Sequence, residues 1–594
     1  MGVAGRTGVA LIVALGAILA VAVAGGPGDA TADAKAQDRP NVVVLLSDDQ
    51  TVDEMRFMPA VRKLIGRAGA RFDTNMTNWP LCCPSRATML SGQYAHNHGV
   101  LGNGPPIGGF DQFNTANALP VWLQKAGYYT AHIGKLMNGY ESSPVGVPPG
   151  WSEWHGAKRT YWYYGVQLLE DRGLHTYGSI HEDTDAPANP ASYNTTVFTD
   201  KAVDIIDRRA PSDQPFYLSV SYLAPHGGGP NRPETDDPAR CDGTAKPPPE
   251  HNGDLESTPL PQPPNFDEAD VSDKPDAVSG RSPLSDKEIA NATRNYRCRG
   301  EAVMGVDDGA ERVVDALRAS GELDDTLLIY TSDNGFFHGE HRIPAGKNQV
   351  YEEAVRVPLL MRGPGIPRGT EIGDVTINAD LVPTILDATG ARAGLPQDGR
   401  SLFPFIDHPE RLHGRELLLE QESRDGDDGE PRGTEYAAIR TNRFKLVDNA
   451  TGEVELYDIR NDPYELENVA GNPAFAEAQD ALEARLAALR NCAGPSCRTE
   501  PAIDSRLPRP TRRHGRRCTP ARGFVYGVRS KAQSRLVRAD FTVDGRDAGS
   551  DDSEPFDHRI PARLLRRGPR PLVEANAELV DGRILTLHER PRIC

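Results

Sequence analysis

The sequence predicts an α/β fold with a central, mostly parallel sheet and helices on both faces. A smaller antiparallel C-terminal subdomain and an appended β-sandwich-like module follow it. Two runs carry the first part of this reading. Asn41 to Leu46 is almost wholly apolar and stops at Ser47, Asp48 and Asp49; Thr326 to Tyr330 behaves alike and stops at Ser332, Asp333 and Asn334. A strand apolar on both sides belongs to a sheet with two covered faces, which is the parallel arrangement. The third observation is the change of texture after Leu402, where short alternating runs replace the long apolar ones.

The elements follow in chain order. After the Asn41 strand, Met58 to Ala68 places apolar residues at helical spacing. Residues 197–209 do so again through Ala202, Val203, Ile205 and Ile206, and Phe216 to Tyr222 reads as a strand. Residues 226–285 are rich in Pro, Gly and Asp with little periodicity, which predicts an ordered loop over the active face, with a linker as the alternative. Residues 301–320 form the longest helical stripe, through Val303, Val306, Val313, Val314 and Leu317. The Thr326 strand and a further strand over Arg356 to Arg362 complete this part. Beyond Leu402, residues 435–440, 444–447 and 455–458 are short strands, with a turn at Asp448 to Gly452 and a helix from Ala474 to Arg490. Residues 498–517 read as a Pro/Arg-rich linker. Residues 536–546 and 572–587 alternate around Asp544-Gly545 and Asp581-Gly582, the dipeptides of tight hairpins. The expected domains are 1–36 (export signal and short linker), 37–400 (catalytic domain), 401–497 (C-terminal subdomain), 498–517 (linker) and 518–594 (β-rich accessory module).

A chain of 594 residues exceeds one typical domain. Its net charge of −18 argues neither for nucleic acid nor for disorder. The charge is uneven: residues 501–594 hold 20 Lys and Arg against 12 Asp and Glu, a net of +8, which leaves −26 for the rest. Arg6, the apolar run Val9 to Ala24 and the small residues Ala22 to Ala24 and Ala30 to Ala32 read as an export signal, with a retained anchor as the alternative. No later apolar run reaches bilayer length. Eight cysteines suit an exported protein. Cys492 and Cys497 lie close together, Cys241 and Cys298 share the core region, and Cys518 and Cys594 bracket the tail; sequence leaves the pairing open.

Asp48, Asp49, Asp333 and Asn334 are hard oxygen donors at the ends of two buried strands, the edge where open α/β sheets bind ligands. Three carboxylates and an amide suit Ca²⁺, with Mg²⁺ as the alternative, and not zinc. Each pair alone would pass for a solvated loop. Together, with a cysteine motif between them, they point to one centre. That motif is Leu81-Cys82-Cys83-Pro84-Ser85-Arg86, continuing through Gly92. No second cysteine pair follows at metal-ligand spacing. Arg86 lies one helical turn after Cys82, so its guanidinium can point back at residue 82.

This motif resembles the signature of the type I, formylglycine-dependent sulfatases. The likeness extends to Asn41–Asp49, Tyr94–Gly99, Gly134-Lys135, Ala224-Pro225-His226, Ser332–Gly335, Gly346-Lys347 with Glu352-Glu353, and Asn378–Thr384, all in sulfatase order. The double cysteine resembles that of the N-acetylglucosamine-6-sulfatases. The resemblance implies an alkaline-phosphatase-like sheet. It implies that Cys82 is converted to formylglycine (3-oxoalanine) by a formylglycine-generating enzyme, and that the hydrated aldehyde attacks sulfur and later expels sulfate. It implies that Asp48, Asp49, Asp333 and Asn334 hold the metal and that Arg86 anchors residue 82. Lys135, His226 and Lys347 would hold the sulfate group, with His226 and Lys347 near the leaving oxygen to donate its proton.

One position departs from the family pattern. Many sulfatases carry a histidine two residues after the motif lysine; here Met137 stands there and cannot move a proton. His132, His338 and His341 are the candidate substitutes. Trp151 and Trp154, followed by Tyr161 to Tyr164, are read as a substrate-facing aromatic wall, against the alternative of core.

The function this predicts is a secreted or cell-surface, metal-dependent sulfatase acting on the 6-O-sulfate of N-acetylglucosamine in a glycosaminoglycan. The alternatives are an aryl or alkyl sulfatase, or a phosphonate or phosphodiester hydrolase of the same superfamily. A non-catalytic glycan-binding protein would have lost Cys82 or a metal ligand, and all are present. The expected partner is a sulfated carbohydrate, without nucleic acid and without stable membrane insertion. The tail module is read either as a glycan- or surface-binding unit or as a stabilising one.

Overall fold

The computed structural model describes residues 39–170, 173–178, 189–229, 241, 243–422, 435–513, 516–530, 535–565 and 570–594. The export signal expected at 1–36 lies outside the described residues. Ten strands form the main sheet: β1 (Asn41–Ser47), β2 (Ala70–Met76), β3 (Tyr129–Gly134), β4 (Glu153–Ala157), β5 (Val166–Glu170), β6 (Gly173–Tyr177), β7 (Phe216–Ser221), β8 (Thr326–Ser332), β9 (Leu359–Arg362) and β10 (Thr370–Ile377). Their spatial order is β10-β2-β9-β8-β1-β7-β3-β4-β5-β6. β8, β1, β7, β3 and β4 run parallel, while β9, β5 and β6 pair antiparallel with their neighbours.

Val42, Val43 and Leu45 are fully buried because both faces of β1 are covered. One face packs under the helices Asn194–Arg209 and Asp286–Ala319. The other packs against Cys82–Ser91, Leu119–Lys125 and Leu381–Thr389. The sheet, its two helical layers and the alkaline-phosphatase-like architecture agree with the sequence expectation.

Two helices differ from it. The expected helix at 58–68 is a short α turn, Pro59–Val61, that widens into a π turn over Arg62–Gly66. Gly66 and Gly69 explain why: a Cβ on either would lie 2.5 Å from Leu360 Cδ2 or 2.2 Å from the Met361 carbonyl, so the segment is pressed against β9. The helix expected at 301–320 begins earlier, at Asp286. Ser285 and Glu288 close a capping box there, and the helix runs 34 residues. It lies so close to its neighbours that a Cβ on Gly300 would meet Leu255 at 2.5 Å and Phe57 at 2.9 Å.

A second sheet follows, antiparallel throughout: β11 (Leu417–Gln421), β12 (Tyr436–Arg440), β13 (Phe444–Asn449) and β14 (Val454–Asp458). The helix Ala476–Leu489 buries Leu482, Leu486 and Leu489 against it. The tail pairs Ile503–Arg506, Phe524–Ser530 and Asp557–Ile560 in one sheet. A four-stranded sheet lies across a shared core of Tyr526, Val528, Phe541 and Val573. Asp544-Gly545 and Asp581-Gly582 turn its hairpins, Asp544 at φ 48° and Gly545 at φ 71°. Arg443 and Arg460 pair with Glu578 at 3.0 and 2.9 Å, joining the tail to the second sheet. Three disulfides form: Cys241–Cys298, Cys492–Cys497 and Cys518–Cys594. Cys82 and Cys83 stay free and buried.

Candidate active site

Four adjacent parallel strands deliver the site from their C-terminal ends. β1 and β8 lie in register with Ser47 beside Ser332, so Asp48-Asp49 and Asp333-Asn334 emerge side by side. β3 and β7 are in register with Gly134 beside Ser221, which delivers Lys135 and, five residues beyond Ser221, His226. The helix Cys82–Ser91 points its first turn at this edge, with Leu81 extended before it. Positive partial charge at that helix end favours an anion in front of Cys82.

The carboxylates interlock with cations. Lys135 Nζ lies 2.5 Å from Asp48 Oδ2, and Lys347 Nζ lies 2.5 Å from Asp49 Oδ1 and 3.0 Å from Cys82 Sγ. Cys82 Sγ is also 3.6 Å from Asp48 Oδ1. Arg86 donates from Nε to Asp333 Oδ2 at 2.8 Å and from Nη1 to Ser221 Oγ at 2.6 Å, and Nη2 lies 3.3 Å from Asp48 Oδ2. The guanidinium therefore points to the acidic pair, Asp333 and Asp48, beside residue 82. His226 Nε2 stands 3.7 Å from Asp49 Oδ2, and its Nδ1 faces the Gly227 carbonyl at 2.6 Å.

Protonation follows from these contacts. Burial alone would raise the Asp48 pKa, but Lys135, His226, Arg86 and Lys347 hold it well below the ordinary carboxylate range. For Asp49, burial is likewise outweighed by Lys347 and His226. Asp333 is shifted up, by burial and by the neighbouring Asp48. Burial raises the Cys82 thiol despite Lys135 and Lys347, and pushes Cys83 up to about 12. An unmodified thiol here is thus a poor nucleophile.

A metal fits these residues. Asp48, Asp49, Cys82 and His226 place ligand atoms within 4.8 Å of one another. Asn334 is fully buried, its Nδ2 donates to Asp49 Oδ1 at 2.7 Å, and its Oδ1 has no partner. A buried amide oxygen without a donor, on a side chain bonded to a carboxylate, is what a hard cation satisfies.

All nine residues read from the sequence as nucleophile, its anchor, sulfate-holding group or metal ligand converge here. Trp151 and Trp154 do not. Trp154 is fully buried, stacks on His132 with centroids 4.7 Å apart and donates to Tyr140 Oη at 2.7 Å; Trp151 stacks on Tyr217. Their apolar area fills the core. The aromatic beside the cluster is Tyr161, 4.9 Å from Lys135 Nζ and 5.0 Å from the His226 ring, with its hydroxyl on Asn138 Oδ1 at 2.8 Å. Met137 is buried in the core. His132, on β3, packs against Trp154 and is pulled down to about 3, first by burial and then by Arg86. His338 stands 3.7 Å from Glu54, and His341 pairs with Glu268 at 2.6 Å.

Arg299 and Glu54 matter to the site and carried no local signal. Arg299 pairs with Glu54 at 2.7 Å and donates to the carbonyls of Asp49 at 2.5 Å and Pro225 at 3.2 Å. It thereby fixes the loop of a metal-ligand candidate and the loop before His226. Asp49 sits at φ 67°, a conformation costly for a residue with a Cβ, and that clamp helps hold it. Ser85 Oγ donates to the Asp333 carbonyl at 2.5 Å and accepts from Asn378 at 3.0 Å. Glu54 and Arg299 are 245 residues apart, so only folding reveals the pair.

Fold and site together define a hydrolase in which buried carboxylates, cations and a Cys-bearing helix end converge on an anionic ester. The sulfatase family model matches residues 40–391, and a model described as N-sulphoglucosamine sulphohydrolase, C-terminal, matches 339–492. The chain belongs to the sulfatase family. The N-acetylglucosamine-6-sulfatase of Capra hircus is 29% identical over 511 residues, 79% of this chain and 87% of that protein. An arylsulfatase of Volvox carteri is 32% identical over 510 residues, 78% and 76% of the two chains. An extracellular sulfatase Sulf-1 homolog of Caenorhabditis elegans is 33% identical over 62% of this chain, which spans about half, 49%, of that relative. A solved structure of an enzyme with its substrate D-glucosamine-2-N,6-O-disulfate aligns at TM-score 0.61 and 25% identity, covering 76% of this chain and 97% of that one.

Proposed function

We propose that this sulfatase hydrolyses a sulfate ester on a sulfated sugar, the 6-O-sulfate of N-acetylglucosamine in a glycosaminoglycan. In this reading Cys82 is converted to formylglycine, whose hydrated aldehyde supplies the attacking hydroxyl, and the cation is Ca²⁺. The observation that carries it is Cys82 Sγ, outside any disulfide, 3.0 Å from Lys347 Nζ and 3.6 Å from Asp48 Oδ1. The thiol sulfur marks the place a hydrate oxygen would take.

The chain's own residues then divide the work. Asp48, Asp49, Asp333 and Asn334 would hold the ion, which supplies positive charge to polarise the sulfate oxygens. Three carboxylates, Asp48, Asp49 and Asp333, are already matched by three cations, Arg86, Lys135 and Lys347. A divalent ion would leave the pocket positive by about two charges, and a sulfate monoester, with one negative charge, would offset part of that excess. Lys135 and Lys347 orient the ester; burial opposes their charge, but Asp48 and Asp49 respectively keep both lysines protonated. His226, whose Nε2 stands 3.7 Å from Asp49 Oδ2, would give the leaving oxygen its proton. The likeness to N-acetylglucosamine-6-sulfatase and to the disulfated-glucosamine enzyme supports the choice of sugar. The 32% identity to an arylsulfatase favours, as a second reading, an aryl sulfate substrate. We place the protein outside the cell, matured by a formylglycine-generating enzyme. Among the described residues no helix is long and apolar enough to cross a membrane.

The test is a peptide mass across Cys82, followed by sulfate release from 6-O-, 2-O- and N-sulfated glucosamines and an aryl sulfate. Formylglycine lowers the mass by about 18 Da, since sulfur and two hydrogens leave and one oxygen enters. An intact thiol in the active enzyme overturns the nucleophile. Release from the aryl sulfate alone overturns the sugar.

A further inference from the structure

The tail module concentrates arginine on one corner. From Ser505 to Ala539 there are ten Arg and one Lys, and no Asp or Glu. In the hairpin Thr511–Arg513 with Arg516–Cys518, Arg512 stands directly opposite Arg517. Like charges facing each other across an antiparallel pair destabilise it. The chain terminus adds to the cluster. The Cys518–Cys594 disulfide and the bond from Thr519 N to the Arg592 carbonyl, 2.7 Å, lay Arg590 and Arg592 beside the hairpin. Arg509, Arg512, Arg517, Arg522, Arg590 and Arg592 are exposed, and among the described residues none of the six enters an ion pair. Three of the ten, Arg529, Arg535 and Arg538, are instead matched, to Asp557, Glu477 and Asp540.

We propose that this arginine corner docks a sulfated polysaccharide chain and so keeps polymeric substrate near the catalytic domain. The choice of a sulfated polymer rests on the sugar-sulfate reading above. Guanidinium forks pair with tetrahedral oxyanions through two parallel hydrogen bonds, which point charges of lysine do not match. An anion bound across Arg512 and Arg517 converts their repulsion into a bridge. Phe524 and Tyr526, the aromatics of the adjoining strand, are buried, so neither ring is open to stack a nucleic-acid base. Tethering the polymer raises its effective concentration at the site without a new catalytic contact.

The experiment titrates the full chain with a heparin dodecasaccharide, with the same oligosaccharide after desulfation, and with a short DNA duplex at equal salt. The comparison variant carries Arg512→Ser, Arg517→Ser and Arg592→Ser, checked for an unchanged melting transition. Heparin is expected to bind at least about tenfold more tightly than either control, with an affinity that falls steeply with salt. The variant is expected to lose that affinity and flatten the salt dependence. Its release of sulfate from a monosaccharide stays unchanged, while its KM for polymer rises. Absence of heparin binding, equal binding of DNA, or a variant that binds like the parent overturns the proposal. Binding is read without turnover, so a wrong sugar-sulfate assignment would show separately, as binding without sulfate release.

Discussion

Arg299→Met is the sharpest test of how the site is held. Arg299 is 1% exposed and Glu54 is fully buried, so the substitution leaves a carboxylate in the interior with its main partner gone. Burial raises the Glu54 pKa and Arg299 then pulls it to about 2. Its folded value therefore lies below its unfolded 4.5, so this stability is present above pH 4.5 and is lost as pH falls through about 2. Removing one member of such a pair costs about 3–5 kcal/mol. The Asp49 and Pro225 carbonyls lose their donor as well, which loosens the two loops and lowers kcat by about 100-fold. Urea unfolding at neutral pH measures the stability term and sulfate release the second. Adding Glu54→Gln removes the stranded charge, so the double variant recovers more than half of the lost stability while kcat stays low. In the single variant burial acts on Glu54 without Arg299 to oppose it and raises its pKa, so the deficit grows as pH rises above 4.5. A loss below about 1 kcal/mol, or a double variant no more stable than the single, would refute the reasoning.

Cys82→Ala lowers sulfate release by at least about 10³-fold with an unchanged melting transition, whereas Cys83→Ala retains turnover; steady-state kinetics on both variants checks this. Chelation with EGTA stops turnover and lowers the melting temperature, and added Ca²⁺ restores both, read by activity and calorimetry. Trp154→Ala costs about 3–5 kcal/mol in urea unfolding with KM changed by no more than about twofold, since the ring fills core. His96 faces the Glu420 carboxylate at 2.8 Å with one nitrogen and the Cys492 carbonyl at 2.8 Å with the other, so both must carry protons. Burial opposes that charge, but Glu420 raises its pKa from 6.5 to about 9. Its stabilisation is complete below pH 6.5 and disappears as pH rises through about 9, so His96→Gln flattens the fall of melting temperature across that window.

The sequence by itself determined the elements whose signal is local. Apolar runs fix β1, β7 and β8, because two-sided burial leaves no room for polar residues. Asp-Gly dipeptides fix the tail hairpins, because few residues tolerate positive φ. The oxygen donors and the Leu81–Gly92 motif were legible because a shared chemistry constrains residue type at each position. Even the early start of the long helix was written in Ser285 and Glu288, a capping box that its stripe of valines overshadowed. Tertiary structure alone decided the rest. Aromatic residues are equally at home in a core or on a sugar-binding wall, and only the packing of Trp154 on His132 sends it inward while Tyr161 meets Lys135 and His226. The Arg299–Glu54 clamp joins residues 245 apart, and the arginine corner closes through the Cys518–Cys594 bond. Such contacts depend on where strands and helices cross in space, and no periodicity along the chain encodes that.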